Sequence, residues 1–267
     1  MGQRRLINET KMPGAVFFPD ASLNFAENIL ANADDSPAIS AHGEDGRHIT
    51  LSRAELASKV MALAGWLKAN NVDRGDRVAA FTPNVAEAVI TMLATATLGA
   101  VYSSCSPDFG VSGAVDRFGQ IEPKILMACD GYFYAGKKID RMPLVADLAA
   151  KLPSLEAVLI LPYLNDSPDC GKISNAILFE TALDTATPVE GFTRIGFNDP
   201  LYILYSSGTT GAPKCIVHGA GGTLIQHIKE HRLHGNVTNG DAMFYFTTCG
   251  WMMWNWLVSA LATKAKL

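Results

Sequence analysis

The sequence predicts an α/β fold, with mostly parallel sheets flanked by helices and the chain divided between two α/β subdomains. Three observations predict it. Helix-spaced and strand-like apolar patterns alternate from Thr50 to Ala128, and the alternation restarts near Asn198. Of 267 residues, 48% are apolar and 18% charged, enough to bury a sizeable core. Strands separated by helices pair in parallel through right-handed crossovers. The first subdomain is expected over 1–197, with an N-terminal extension and an irregular connection. The second is expected to start at 198 and to be incomplete at 267.

Each element has its own signal. Ser52 and Glu55 have capping-box spacing, and Leu56, Val60, Leu63 and Leu67 follow at helical spacing, so a helix runs to about Asn70. Asp73-Arg74-Gly75-Asp76 is a turn. Val78 to Thr82 reads as a short apolar strand that Pro83-Asn84 ends. A helix is expected from about Val85 to Leu98, with Gly99 placed to terminate it. Ala100 to Ser104 is the next strand. A helix near Val111 to Gln120 and a strand from Lys124 to Ala128 come after it. Val158 to Leu161 is a further strand. Leu164 to Thr193, rich in Pro, Asp, Asn and Gly, reads as irregular. The second unit is expected to hold strands at Leu201–Tyr205, Cys215–Val217 and Met243–Thr247. Its helices lie near Gly222–His234 and from about Trp251.

Composition excludes several classes. Net charge is −4 and the basic residues are scattered, so no nucleic-acid partner is implied. The five cysteines (Cys105, Cys129, Cys170, Cys215, Cys249) are odd in number and widely spaced, which fits a reducing cytoplasm. Met1 to Asn8 has two arginines but no apolar core behind them, so this stretch is not expected to act as a signal peptide. Val85 to Ser104 contains Glu87, and Trp251 to Ala262 is too short to cross a bilayer of ~30 Å, so no membrane span is expected.

Tyr205-Ser206-Ser207-Gly208-Thr209-Thr210-Gly211-Ala212-Pro213-Lys214 joins two apolar runs. Glycine lets backbone N–H groups approach phosphate oxygens, hydroxyls donate further hydrogen bonds, and lysine adds positive charge. A plain turn would share this composition. Gly208 and Gly211 are three apart and Pro213 precedes Lys214, so the spacing rejects the ATPase loop G-x-x-x-x-G-K-[ST].

This run resembles the phosphate loop of the adenylate-forming acyl-CoA synthetases. Four further segments are similar to one branch, the acetoacetyl-CoA synthetases. They are Leu23-Asn24-Phe25-Ala26-Glu27-Asn28, the stretch from Ser103 to Gly110, the stretch from Asp116 to Lys124, and Gly250-Trp251-Met252-Met253-Trp254-Asn255. The likeness covers the chain from about Lys11 to about Ala262. It implies ATP, magnesium and coenzyme A as cofactors or co-substrates, and acetoacetate as the acid. It also implies that the chain is a fragment of a large N-terminal domain, expected to carry neither the family's ribose-gripping aspartate nor its C-terminal catalytic lysine. Such a fragment is expected to be inactive alone. A synthetase for acetate or propionate, and a non-catalytic nucleotide-binding fragment, remain as alternatives.

The resemblance places Ser206, Ser207, Gly208, Thr209, Thr210, Gly211 and Lys214 on the ATP phosphates. Lys214 takes a catalytic role by neutralising charge as pyrophosphate leaves. Arg117 aligns with an arginine that contacts coenzyme A in acetyl-CoA synthetases. A solvent-facing helix arginine is the alternative. Trp251 falls at a wall of the acyl pocket, with Met252 and Met253 beside it. Acetyl-CoA synthetases have threonine where this chain has Met253, which argues for a different short acid. His218 reads as a structural strand-end residue. His227, His231 and His234 share a helical face but lack a ligand set, so no metal site is expected.

Overall fold

Seven strands form one sheet in the computed structural model, which describes residues 2–31, 33–206 and 211–267. Their spatial order is Ala176–Leu178, Ala157–Leu161, Ile125–Cys129, Arg77–Phe81, Val101–Cys105, Pro200–Ser206 and Lys214–Gly219. Five of the six pairings are parallel; only Pro200–Ser206 with Lys214–Gly219 is antiparallel. The sheet continues across 197/198, since Tyr202 pairs with Tyr102 and Ile203 with Ser103.

The central strands are buried on both faces, which is why they read as unbroken apolar runs. Val78, Ala80, Tyr102, Met127 and Tyr202 face one core. That core is filled by Leu56, Val60, Leu63 and Leu67 of the helix Arg53–Ala69, by Ala86–Thr97, and by Trp254 of Met252–Ser259. Ala79, Phe81, Leu126, Ala128 and Ile203 face the other, against Ala114 and Phe118 of Val111–Phe118 and Val145 and Leu148 of Met142–Ala150. The capping box forms as expected: Ser52 N donates to Glu55 Oε2 (2.7 Å) and Glu55 N to Ser52 Oγ (3.1 Å). Gly99 takes a φ of +69° just after the helix Ala86–Thr97, the left-handed conformation that lets the chain turn into its next strand.

Some expectations need correction. Met243–Thr247 is not a strand. Its neighbour Ala242 makes one isolated bridge with Lys266, and Phe244 and Phe246 are exposed. Among the described residues no strand lies alongside to complete a ladder. The connection 164–193 is more ordered than expected. Ala176–Leu178 pairs with Ala157–Leu161 and leads directly into the helix Phe179–Thr185. The hairpin Pro37–His42 with His48–Ser52 and the helix Met142–Ala150 were not anticipated. The helix expected near 222–234 starts at Ala220 and ends in a π-helical turn, Glu230–His234.

Candidate active site

The site sits at the carboxyl ends of two neighbouring strands, Val101–Cys105 and Pro200–Ser206. The chain leaves Cys105 for the helix Val111–Phe118, which packs on one face of the sheet, and it leaves Ser206 for the Gly/Ser/Thr segment that returns at Lys214. The carboxyl ends of parallel strands are where α/β sheets bind ligands. A cavity of about 210 Å³ lies there, lined by residues that include Cys105, Phe109, Arg117, Tyr205, Thr248 and Trp251.

The segment bearing Trp251 is docked onto the strand end. Ser104 Oγ donates to Cys249 O (2.6 Å). Gly250 lies against the same strand end, where a Cβ would stand in ordinary van der Waals contact with Ser106 N (3.4 Å) and Cys105 Cα (3.5 Å). Trp254 anchors the following helix from the core, donating from Nε1 to Asn84 Oδ1 (2.8 Å). Trp251 is 67% exposed at the cavity rim. Met252 is exposed and Met253 half-buried, and neither lines this cavity.

Arg117 occupies the last turn of its helix and donates from Nη1 to Gly113 O (2.7 Å). Its guanidinium lies 4.1 Å from the Phe109 ring centroid and 5.9 Å from that of Tyr205. No carboxylate pairs with it among the described residues. The cavity therefore holds a stacked cation suited to an anionic or polarised group. Ser103 Oγ lies 2.9 Å from Ile203 O and 3.0 Å from the Tyr205 hydroxyl, tying the two strands together. Burial raises the Tyr205 pKa and pushes the Cys105 thiol up to about 12, so both stay protonated. A buried neutral thiol is not a nucleophile here.

The Gly/Ser/Thr loop starts and closes at one pair: Ser206 and Lys214 face each other in the antiparallel register. Ser207, Gly208, Thr209 and Thr210 lie outside the described residues. Gly211 has φ +100°, a conformation that favours glycine, with open space where a Cβ would stand. Lys214 is exposed. Sequence reasoning missed Gln120, which ties down the returning limb. Its Nε2 donates to Pro213 O (2.8 Å) and its Oε1 accepts from the Cys215 thiol (3.6 Å). A polar residue just past a helix end gives no signal of this; the contact comes from tertiary packing.

The histidines sit elsewhere. His218 stacks near Tyr202, with ring centroids 4.9 Å apart, and burial lowers its pKa. His227 and His231 are buried, and His231 Nε2 contacts Trp256 O (2.9 Å) and Ser259 Oγ (3.1 Å). His234 is exposed. A larger cavity of about 310 Å³, beside Arg47, Glu87 and Tyr163, is lined by none of the residues singled out from the sequence.

The model of the AMP-binding enzyme family matches residues 25–265. The chain is 48% identical over 273 aligned positions to the acetoacetyl-coenzyme A synthetase of Rhizobium meliloti, covering 100% of this chain and 41% of that protein. It is 43% identical to the acetoacetyl-CoA synthetase of Mus musculus, covering 94% of this chain and 38% of that protein. The solved structure of the acetoacetyl-CoA synthetase from Streptomyces lividans superposes with a TM-score of 0.90 at 44% identity, covering 96% of this chain and 39% of that one. The chain thus spans about two fifths of the length of the relatives it matches.

Proposed function

The chain belongs to the AMP-binding enzyme family, and from that premise we propose that its parent protein is an ATP-dependent, AMP-forming ligase joining acetoacetate to coenzyme A. A carboxylate oxygen of acetoacetate attacks the α-phosphorus of ATP, giving the acyl-adenylate and releasing pyrophosphate. The coenzyme A thiol, losing its proton, then attacks the acyl carbonyl and expels AMP. The observation that carries this reading is the meeting at one cavity of Arg117, Trp251 and Tyr205, the residue that leads into the Ser206–Lys214 loop.

In this reading Ser206, Ser207, Thr209, Thr210 and the backbone at Gly208 and Gly211 hold the phosphates. Lys214 offsets the charge of departing pyrophosphate, as preorganised cations do in phosphoryl chemistry. Trp251 walls the acyl site, with Met252 and Met253 shaping it from outside the cavity described above. Arg117 meets coenzyme A. Magnesium accompanies ATP. A cytoplasmic setting suits the five free thiols.

The test is acid-dependent exchange of labelled pyrophosphate into ATP by the full-length parent. Acetoacetate should support exchange well above acetate and propionate. Exchange with acetate but not acetoacetate would overturn the substrate assignment.

A further inference from the structure

A second network meets the wall of the same crevice. Tyr132, on the strand Gly131–Tyr134, is buried, and its hydroxyl donates to Asp108 Oδ1. Asp108 Oδ2 also accepts from Ser106 Oγ (2.7 Å). Arg141 donates from Nη2 to the Tyr132 hydroxyl (3.1 Å), and its guanidinium lies 5.4 Å from the Tyr132 ring centroid. The network joins two connections that leave different strands, the 131–140 hairpin after Ile125–Cys129 and the 106–110 loop after Val101–Cys105. Phe109, the next residue after Asp108, is the ring on which the Arg117 guanidinium stacks.

We propose that Tyr132 is a positioning residue that, through Asp108, fixes the loop carrying Phe109 and so holds Arg117 where coenzyme A is engaged. The proposal rests on the reading that Arg117 meets coenzyme A. Tyr132 suits the task because burial and the Asp108 carboxylate both raise its pKa, which keeps it a donor. A hydrogen bond to a charged acceptor is worth enough to hold a short loop in one place.

The experiment compares Tyr132→Phe and Arg117→Ala in the full-length enzyme, measuring each half-reaction separately. Phenylalanine keeps the ring under Arg141 and removes only the donor. Tyr132→Phe should raise KM for coenzyme A by about tenfold, the loss of one charge-assisted hydrogen bond. Pyrophosphate exchange with acetoacetate and ATP, which needs no coenzyme A, should stay within about twofold, well under the ~1.4 kcal/mol of a tenfold change. Equal losses in both half-reactions would overturn the positioning role. If Arg117→Ala raises KM for coenzyme A and Tyr132→Phe does not, this proposal fails while the Arg117 reading stands. If neither raises it, the Arg117 reading fails and this proposal with it. Should Tyr132→Phe not fold, Asp108→Asn weakens the same contact from an exposed position and carries the same expectations.

Discussion

Lys214 is the residue on which chemistry and stability separate most cleanly. It opens the edge strand Lys214–Gly219, faces Ser206 across the loop and is exposed. An exposed lysine contributes little to folding, so Lys214→Ala should alter stability by less than about 0.5 kcal/mol. If it neutralises departing pyrophosphate, the same change should slow pyrophosphate exchange by about a hundredfold or more. Exchange assays and thermal melts on the full-length variant check both, and undiminished exchange with intact folding would remove Lys214 from the mechanism. At this scale the sequence was informative where chemistry lies in residue type. Two glycines, four hydroxyls and a lysine between apolar runs suit phosphate binding in residue type, and the proposed role of the loop starts from them. It was silent on Gln120 and Tyr132, whose partners Pro213 and Asp108 are brought to them only by folding.

The elements follow a similar rule. Strands such as Ile125–Cys129, buried on both faces and bounded by turn residues, are legible as apolar runs. Ala176–Leu178 is three residues long and acquires its strand conformation from pairing with Ala157–Leu161, so no local pattern betrays it. The helix Ala220–Lys229 shows how burial becomes a measurable property. Its His227 is buried, and desolvation, with His231 adding to it, holds the pKa down to about 4. In the unfolded chain the ring takes its proton near the ordinary value of about 6.5. Between those two values the unfolded state binds more protons, so stability falls as pH drops from 6.5 toward 4 and levels off below. The full loss from this residue is on the order of 3 kcal/mol, at about 1.4 kcal/mol for each pH step between the two values. Burial lowers the pKa of His218 and His231 in the same direction. Urea midpoints of the unaltered chain and His227→Gln across this window should diverge, with the variant showing the shallower pH slope. Identical slopes would mean that His227 titrates normally in the folded chain.

For the molecule as a whole, the distribution of apolar surface matters more than its amount. The two cores on either side of the sheet bury the inner strands Ala157–Leu161, Ile125–Cys129, Arg77–Phe81 and Val101–Cys105 almost completely, yet Phe244 and Phe246 are 80% and 90% exposed and Trp251 stands out beside them in sequence. The edge strand Lys214–Gly219 also leaves Ile216 and Val217 exposed, with its outer side unpaired among the described residues. Large exposed apolar side chains and open strand edges both favour association. A net charge of −4 on 267 residues offers weak electrostatic repulsion against it. The 267-residue chain is therefore expected to self-associate at concentrations of tens of micromolar, the range in which exposed apolar surface drives aggregation. Sedimentation velocity should show the average mass rising with concentration. Replacing both Phe244 and Phe246 with serine should reduce that rise while leaving the melting temperature nearly unchanged, since neither ring contributes to a core. If association persists undiminished in the double variant, the edge strand is its source, and a charged substitution at the exposed Val217 should then suppress it.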